Sequence, residues 1–430
     1  MNIQITCIVA LGALTLMGAF GKSSLQASDW PEFRGPTRDG QAPKAWKLPT
    51  NWDEASNVAW KTPISGKAWS TPVVSGGKAW LATATEDGKV MSVVCVDAGS
   101  GKVLHEKVLF ENESPEPLGN PVNSYGSSSP AIEGKRVYIH FGSYGTACLD
   151  TDSAEVIWQR RDLPCRHFRG PGSSVVLYKE FVILTMDGID VQYTVALQQL
   201  NGETVWKTDR TTEWDDLGPD GEPISEGDMR KAYSTPVVAS IGKKDMLIST
   251  GAKCTYGYDP MNGKELWRVT YKGFSNASRP VFANGTALIN TGYGKANLVS
   301  IPLHSQSRGD LTGTAEWEIT KRVPLRSSPV VVGGHIFMIS DNGVAACVRM
   351  KDGEELWSER LDGKFSASPI HHQGHVYFFS EEGASYVVEA KPEYVLASTN
   401  KLEEGMMASP AAADGALFLR TKGHLYKIAE

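Results

Sequence analysis

Cysteine is scarce: 430 residues contain six. The five beyond the N-terminal segment, Cys95, Cys148, Cys165, Cys254 and Cys347, are an odd number, which argues against a disulfide framework in an exported chain. Three occupy the same place in a recurring pattern, Val94-Cys95-Val96, Ala147-Cys148-Leu149 and Ala346-Cys347-Val348, and read as small buried residues. An excess of positive charge is also missing. Lys and Arg number 43 against 49 Asp and Glu, a net charge of −6, which gives no case for nucleic-acid binding, where a basic stripe is expected. Long apolar runs are confined to Ile3 to Phe20, which is followed by Lys22-Ser23-Ser24-Leu25-Gln26-Ala27, a small-residue exit. This predicts a signal peptide over 1–27 cut after Ala27, and no transmembrane segment in the mature chain. The expected location is exported, periplasmic or extracellular, with an uncleaved N-terminal anchor as the alternative because the run is nearly long enough to cross a bilayer. No Lys or Arg precedes the run, and Cys7 stands too early to carry a lipid.

What the chain has is a repeat. Eight times a Ser, usually followed by Pro, opens a short run of strand formers: Ser70-Thr71-Pro72, Ser129-Pro130, Ser173-Ser174, Ser234-Thr235-Pro236, Ser278-Arg279-Pro280, Ser328-Pro329, Ser368-Pro369 and Ser409-Pro410. A period of roughly 40 to 60 residues with four strands per unit is the signature of a β-propeller. The sixth unit shows the grammar. Val330 to Val332 is an inner strand, and Pro329 is tolerated because it stands at the strand's start. Gly333-Gly334 turns it into His335 to Ile339, Asp341-Asn342-Gly343 into Val344 to Val348, and Lys351-Asp352-Gly353 into an outer strand ending at Trp357.

Corresponding tryptophans are Trp158, Trp206, Trp267 and Trp317, each expected to pack on the neighbouring blade. Trp60 precedes the first unit, while the last unit stops at Leu425 to Ile428 without an outer strand. The N-terminal strand is therefore expected to complete the eighth blade and remove the free sheet edges. The fold class is all-β, an eight-bladed propeller of four-stranded antiparallel blades over 58–430, preceded by an extended segment over 28–57 in which Trp30 and Phe33 are the anchors. Units one and seven carry His105 and Tyr394-Val395-Leu396 where Trp is expected, which predicts weaker interfaces there.

These units resemble the pyrroloquinoline-quinone-type propeller repeat over essentially all of 60–430, most closely at Gly263-Lys264-Glu265-Leu266-Trp267 and from Ser409-Pro410 to Tyr426. The stretch Asp29-Trp30-Pro31-Glu32-Phe33-Arg34-Gly35-Pro36-Thr37-Arg38-Asp39-Gly40 resembles the leader of exported bacterial members. The resemblance implies two different functions. Quinoprotein alcohol and sugar dehydrogenases hold pyrroloquinoline quinone and Ca²⁺ on the axis, in the large alcohol-oxidising members beneath a disulfide between adjacent cysteines. This chain has neither an adjacent Cys pair nor the haem pattern Cys-x-x-Cys-His. The second relative is the propeller lipoprotein that assists outer-membrane barrel assembly, a non-catalytic scaffold. One propeller supports many functions, so the site must decide.

In a propeller the connections from outer to next inner strand gather on one face near the axis, and three are expected to be long: His105 to Ser127, Gln159 to Gly172 and Lys207 to Tyr233. Just before the inner strands they carry a collar of cations and aromatics: Trp69, Asn123, Tyr125, Arg166, His167, Arg169, Arg230, Tyr233, Arg279, Arg326 and Lys364. One reading is a site for an anionic or carbohydrate-like ligand, because Arg pairs with carboxylate, sulfate or phosphate and rings stack on sugars. The other is that the arginines satisfy carbonyls or neighbouring acids such as Asp215, Asp216 and Glu226. Smaller signals read as structural: His371-His372-Gln373-Gly374-His375 as a polar turn, Asp215 to Glu222 as a solvated acidic loop, and Cys165-Arg166-His167 as neighbours that do not face each other. The function expected is an exported binding or protein-interaction scaffold. Its partners would be other exported or outer-membrane proteins, or that ligand, and no cofactor is assigned. The alternative is a pyrroloquinoline-quinone-dependent dehydrogenase using Ca²⁺.

Overall fold

A computed structural model describes residues 29–430, so the expected signal peptide lies outside the described residues. Each Ser-Pro start leads into a short inner strand, and eight sheets follow in chain order. Blades 1 to 7 span 73–111, 131–160, 176–209, 237–270, 281–319, 330–360 and 370–401; blade 8 joins 411–428 to the N-terminal strand Val58–Pro63. That strand runs antiparallel to His424–Ile428, with Trp60 opposite Lys427 and Pro63 opposite His424. The ring is closed by the two ends of the chain.

The outer-strand tryptophans explain the Asn/Asp-Gly turns. Five of these rings donate their indole N–H to a turn carbonyl of the next blade: Trp60 to Ala98 (3.3 Å), Trp158 to Gln199 (3.0 Å), Trp206 to Pro260 (3.2 Å), Trp317 to Met350 (2.9 Å) and Trp357 to Lys391 (3.0 Å), whereas the buried Trp267 indole N–H has no partner among the described residues. At Trp60, Trp158, Trp206 and Trp317 the ring then lies against the turn glycine. At Gly202 and Gly263, both with φ above +70°, a Cβ would stand 2.7 Å from Trp158 and 2.5 Å from Trp206. Glycine is needed there for its left-handed backbone and for the space. With about 200 Å² of ring at ~25 cal/mol/Å², each such contact contributes roughly 5 kcal/mol of burial.

Three departures from the repeat are repaired. In blade 1, His105 lies inside the outer strand Val103–Glu111 rather than opening a connection, and stacks on Trp80 (6.2 Å between centroids, 16° between planes). Beside blade 7 the missing indole is supplied by Trp52, which stacks on Tyr377 in the same core cluster as Phe418 of blade 8. At blade 7 the space is thus filled by a residue from outside the repeat, whereas in blade 1 His105 and Trp80 belong to the same blade. Blade 5 lacks the glycine turn; its detour through Gly309–Asp310 pairs in parallel with Trp267 and Arg268, giving blade 4 a fifth strand.

The repeated hydroxyl has a role beyond opening strands. The backbone N–H at this position in one blade donates to the hydroxyl of the next: Thr71 to Ser129 Oγ, Ser129 to Ser174 Oγ and Ser174 to Thr235 Oγ1, each at 2.9 Å. The series resumes from Arg279 to Ser328 Oγ (2.8 Å), Ser328 to Ser368 Oγ (2.9 Å) and Ser368 to Ser409 Oγ (2.9 Å). Between blades 4 and 5 the position is Arg279, whose Nε and Nη2 donate to Pro236 O instead (3.1 and 2.9 Å). Between blades 8 and 1 the closing strand takes over, with Thr62 Oγ1 donating to Gly101 O (2.6 Å). Replacing Ser129 or Ser368 by Ala leaves a buried N–H without an acceptor. Each change should cost about 1–3 kcal/mol in urea unfolding, against near zero for Ser305→Ala; equal, negligible effects would remove the ring's structural role.

Four buried imidazoles, His140, His167, His371 and His372, all lowered by burial, add a pH dependence that His140 and His371 illustrate. His140 is 2 % exposed and bonds Thr146 Oγ1 (2.8 Å), while His371 is 9 % exposed. Burial pushes each down to about 4, with His372 and His375 adding repulsion at His371. The unfolded chain therefore takes up protons first, near pH 6.5, so stability present above 6.5 is lost as the pH falls toward 4. For His140 alone the loss amounts to about 3 kcal/mol. Urea midpoints should fall through this window, and His140→Gln should flatten the slope; an unchanged slope would contradict the assignment.

Candidate functional site

Strands alternate direction, so the connections between blades and the turns between second and third strands of each blade open on one face. At its centre, on the ring axis, lies a cavity of about 630 Å³. The fastening hydroxyls form a belt in its wall, through Thr71, Ser129, Ser174, Thr235, Ser368 and Ser409. Each of Ser129, Ser174, Thr235, Ser368 and Ser409 accepts an amide proton from the neighbouring blade and keeps its own O–H as a donor.

Five of the eleven expected site residues line this cavity: Trp69, Asn123, Arg169, Tyr233 and Arg326. Asn123 knits two connections together, its Nδ2 donating to Arg169 O (2.8 Å) and Pro171 O (3.0 Å). Both arginines are already paired. Arg169 makes a two-pronged contact with Asp228 (3.1 Å for each bond), and Arg326 bonds Asp341 and reaches Glu381 at 3.1 Å. No acid among these was expected from sequence, because Asp228, Asp341 and Glu381 come from other connections and turns.

The other six are not brought to the cavity wall. Tyr125 is buried, its hydroxyl donating to Glu116 O (2.8 Å). Arg166 points outward, with its side chain 57 % exposed, and pairs with Glu116 (3.0 Å). Arg230 is held by both oxygens of buried Asp216 (2.9 and 2.7 Å), so this part of the 215–222 loop is an ion pair rather than solvated acid. Arg279 is 1 % exposed and spent on Pro236 O and Phe33 O. Lys364 is exposed. His167 is buried, its Nε2 accepting the Ser143 N–H (3.0 Å).

His167 also corrects an expectation, since its Nδ1 does face Cys165 Sγ, at 3.7 Å. Burial holds the thiol well above its ordinary range and the imidazole well below, so the pair is a neutral S–H and a neutral ring with no thiolate to act as nucleophile. The histidine turn lies on the opposite face. There His371 Nδ1 bonds Gln41 Oε1 (2.6 Å), and among the described residues no three His, Cys, Asp or Glu converge as metal donors.

Lining residues that were not anticipated include Phe33, Asp228, Phe274, Tyr293 and Asp341. Tyr293, 57 % exposed, sits in a second-to-third-strand loop, its N–H bonding Phe274 O (2.6 Å) and its ring edge-on to Phe274 at 5.7 Å. The flanking glycines of Thr291-Gly292-Tyr293-Gly294 were a usable signal, because such turns share the face of the connections.

Pyrroloquinoline quinone is a planar tricarboxylate and would need uncommitted cations and a carboxylate set for Ca²⁺. Here both lining arginines are neutralised, Asp228 and Asp341 are the acids that neutralise them, and all five described cysteines are separate free thiols. These residues do not fit the quinone and its ion.

A family model described as outer membrane protein assembly factor BamB matches residues 50–162 and 304–392. A BamB of Alteromonas naphthalenivorans is 35 % identical over 102 residues, 22 % of this chain and 24 % of that one. The chain spans less than two thirds of the length of the curated relatives it matches, at 24, 41 and 65 %. Among solved structures, BamB from Moraxella catarrhalis superposes with TM-score 0.57 at 10 % identity, over 86 % of this chain and 99 % of that one. A europium-containing methanol dehydrogenase gives 0.63 at 11 % identity, over 93 and 91 %. At such identities the superpositions speak for fold alone. With the repeat, the closed ring and the matched segments together, the chain is a pyrroloquinoline-quinone-type β-propeller that resembles BamB.

Proposed function

We propose that this protein is an exported, non-catalytic binding and protein-interaction scaffold whose axial cavity holds a neutral, carbohydrate-like ligand. The observation that carries the ligand class is the cavity wall itself. Trp69, Tyr233, Phe274 and Tyr293 supply ring faces, Asn123 and the hydroxyl belt supply uncharged hydrogen-bonding groups, and each lining guanidinium already has its carboxylate. Binding an anion there would mean breaking Arg169 from Asp228 or Arg326 from Asp341, which leaves a carboxylate facing the newcomer. A hydroxylated, uncharged ligand stacks on the rings and leaves both pairs intact. The scaffold role rests on a rigid ring and on the likeness to relatives named for outer-membrane protein assembly. Partners are accordingly sought among exported and outer-membrane proteins.

Calorimetry of the purified chain with neutral oligosaccharides (cellohexaose, chitohexaose, maltohexaose) and acidic ones (heparin and polygalacturonate fragments) tests the ligand. At least one neutral sugar should bind, and Trp69→Ala or Tyr233→Ala should weaken it roughly tenfold. Binding restricted to acidic glycans and lost in Arg169→Ala plus Arg326→Ala, or no binding at all, would overturn the proposal.

A further inference from the structure

The cavity is lined by residues of the connections, and the leader contributes Phe33 to its wall. Resting on the ligand reading just given, we infer that Phe33 is a ligand-contacting residue in the wall of the axial site, and that Arg34 is the positioning residue that holds it there. Rather than lying extended along one side, the segment 29–42 crosses the inner strands of six blades. Trp30 exchanges backbone bonds with Val74 of blade 1 (2.7 and 2.9 Å) and is fully buried. Pro31 O accepts the Ile132 N–H of blade 2 (2.8 Å), Arg38 donates to Leu177 O of blade 3 (2.8 Å), and Ala42 N–H reaches His371 O of blade 7 (2.8 Å).

Between these ties the backbone turns tightly, with Arg34 at φ +66° and Gly35 at +78°. A left-handed non-glycine persists only where its surroundings hold it, and such residues cluster at ligand clamps. Arg34 is held. It is 2 % exposed, and its guanidinium donates to Asp39 O (2.6 Å), Pro329 O (2.7 Å) and Ser328 O (3.2 Å), joining the leader to blade 6 through main-chain carbonyls alone. On the other flank Arg279 donates to Phe33 O (2.7 Å). This gives the one non-hydroxyl residue in the fastening series a second use. Unlike Trp30, Phe33 is only half-buried, because its ring forms part of the cavity wall.

A ligand seated on the axis therefore meets an aromatic ring of the leader, and leader seating and ligand binding are coupled reciprocally. The experiment compares the parent with Phe33→Ala, Phe33→Tyr and Arg34→Ala, using the tightest binder among cellohexaose, chitohexaose and maltohexaose, and follows amide exchange over residues 29–42. Phe33→Ala, which leaves the Arg34 seat intact, should weaken binding roughly tenfold with an unchanged melting temperature, while Phe33→Tyr should retain it. Saturating sugar should slow exchange of the leader. Arg34→Ala should lose both binding and leader protection and recover the two in parallel with millimolar guanidinium. If the parent binds sugar but Phe33→Ala binds equally and leader exchange ignores the ligand, this inference fails and the ligand reading stands. If the parent binds none of the three, both fall.

Discussion

The hydroxyl-to-amide bond between successive blades is the constraint on which the rest of this molecule depends. Burial of tryptophan supplies more energy per interface, roughly 5 kcal/mol against about 1 kcal/mol for a net hydrogen bond. An apolar contact, however, tolerates sliding and tilt. A buried N–H that must find one oxygen does not. Placed at the start of the inner strands, where the ring is narrowest, bonds such as Thr71 to Ser129 and Ser328 to Ser368 set the spacing and register of neighbouring blades at six of the eight junctions. The same hydroxyls then appear in the wall of the axial cavity, so the device that fastens the scaffold also builds its site.

Where the series is interrupted, the chain places something else. At the junction of blades 4 and 5, Arg279 spans to Pro236 O and also reaches the leader. At the junction of blades 8 and 1, the closing strand holds the ends, with Trp60 packed beside Gly101. Both breaks lie where an N-terminal segment meets the ring. The leader and the closing strand thus make one continuous N-terminal insertion, crossing the axis, covering the interface of blades 7 and 8 through Trp52, and ending as the last strand of the propeller.

Much of the fold was legible in the sequence because its signals are local. A Ser-Pro start, a glycine turn and a Trp fall within one unit, and a last unit without an outer strand identifies its missing partner in Val58–Pro63. What was not legible joins residues far apart in sequence. Nothing in the repeat says that the hydroxyl of Ser129 serves Thr71, 58 positions away, or that Trp52 replaces an indole absent from blade 7. The candidate site was harder still. Trp69, Asn123, Arg169, Tyr233 and Arg326 lie together, yet the charge of the cavity is set by Asp228 and Asp341, contributed by different connections and turns. Arg230 and Arg279, equally cationic on paper, are committed to Asp216 and to backbone carbonyls. Formal charge can be counted along a chain; its compensation depends on which loops meet.

Native-state hydrogen exchange at the amides of Thr71, Ser129, Ser174, Arg279, Ser328 and Ser368 reads the fastening of blade to blade bond by bond. If these bonds fix the ring, those amides exchange only through global unfolding, with the free energy of the most protected core strands. Exchange at the rate of the surrounding connections would contradict it.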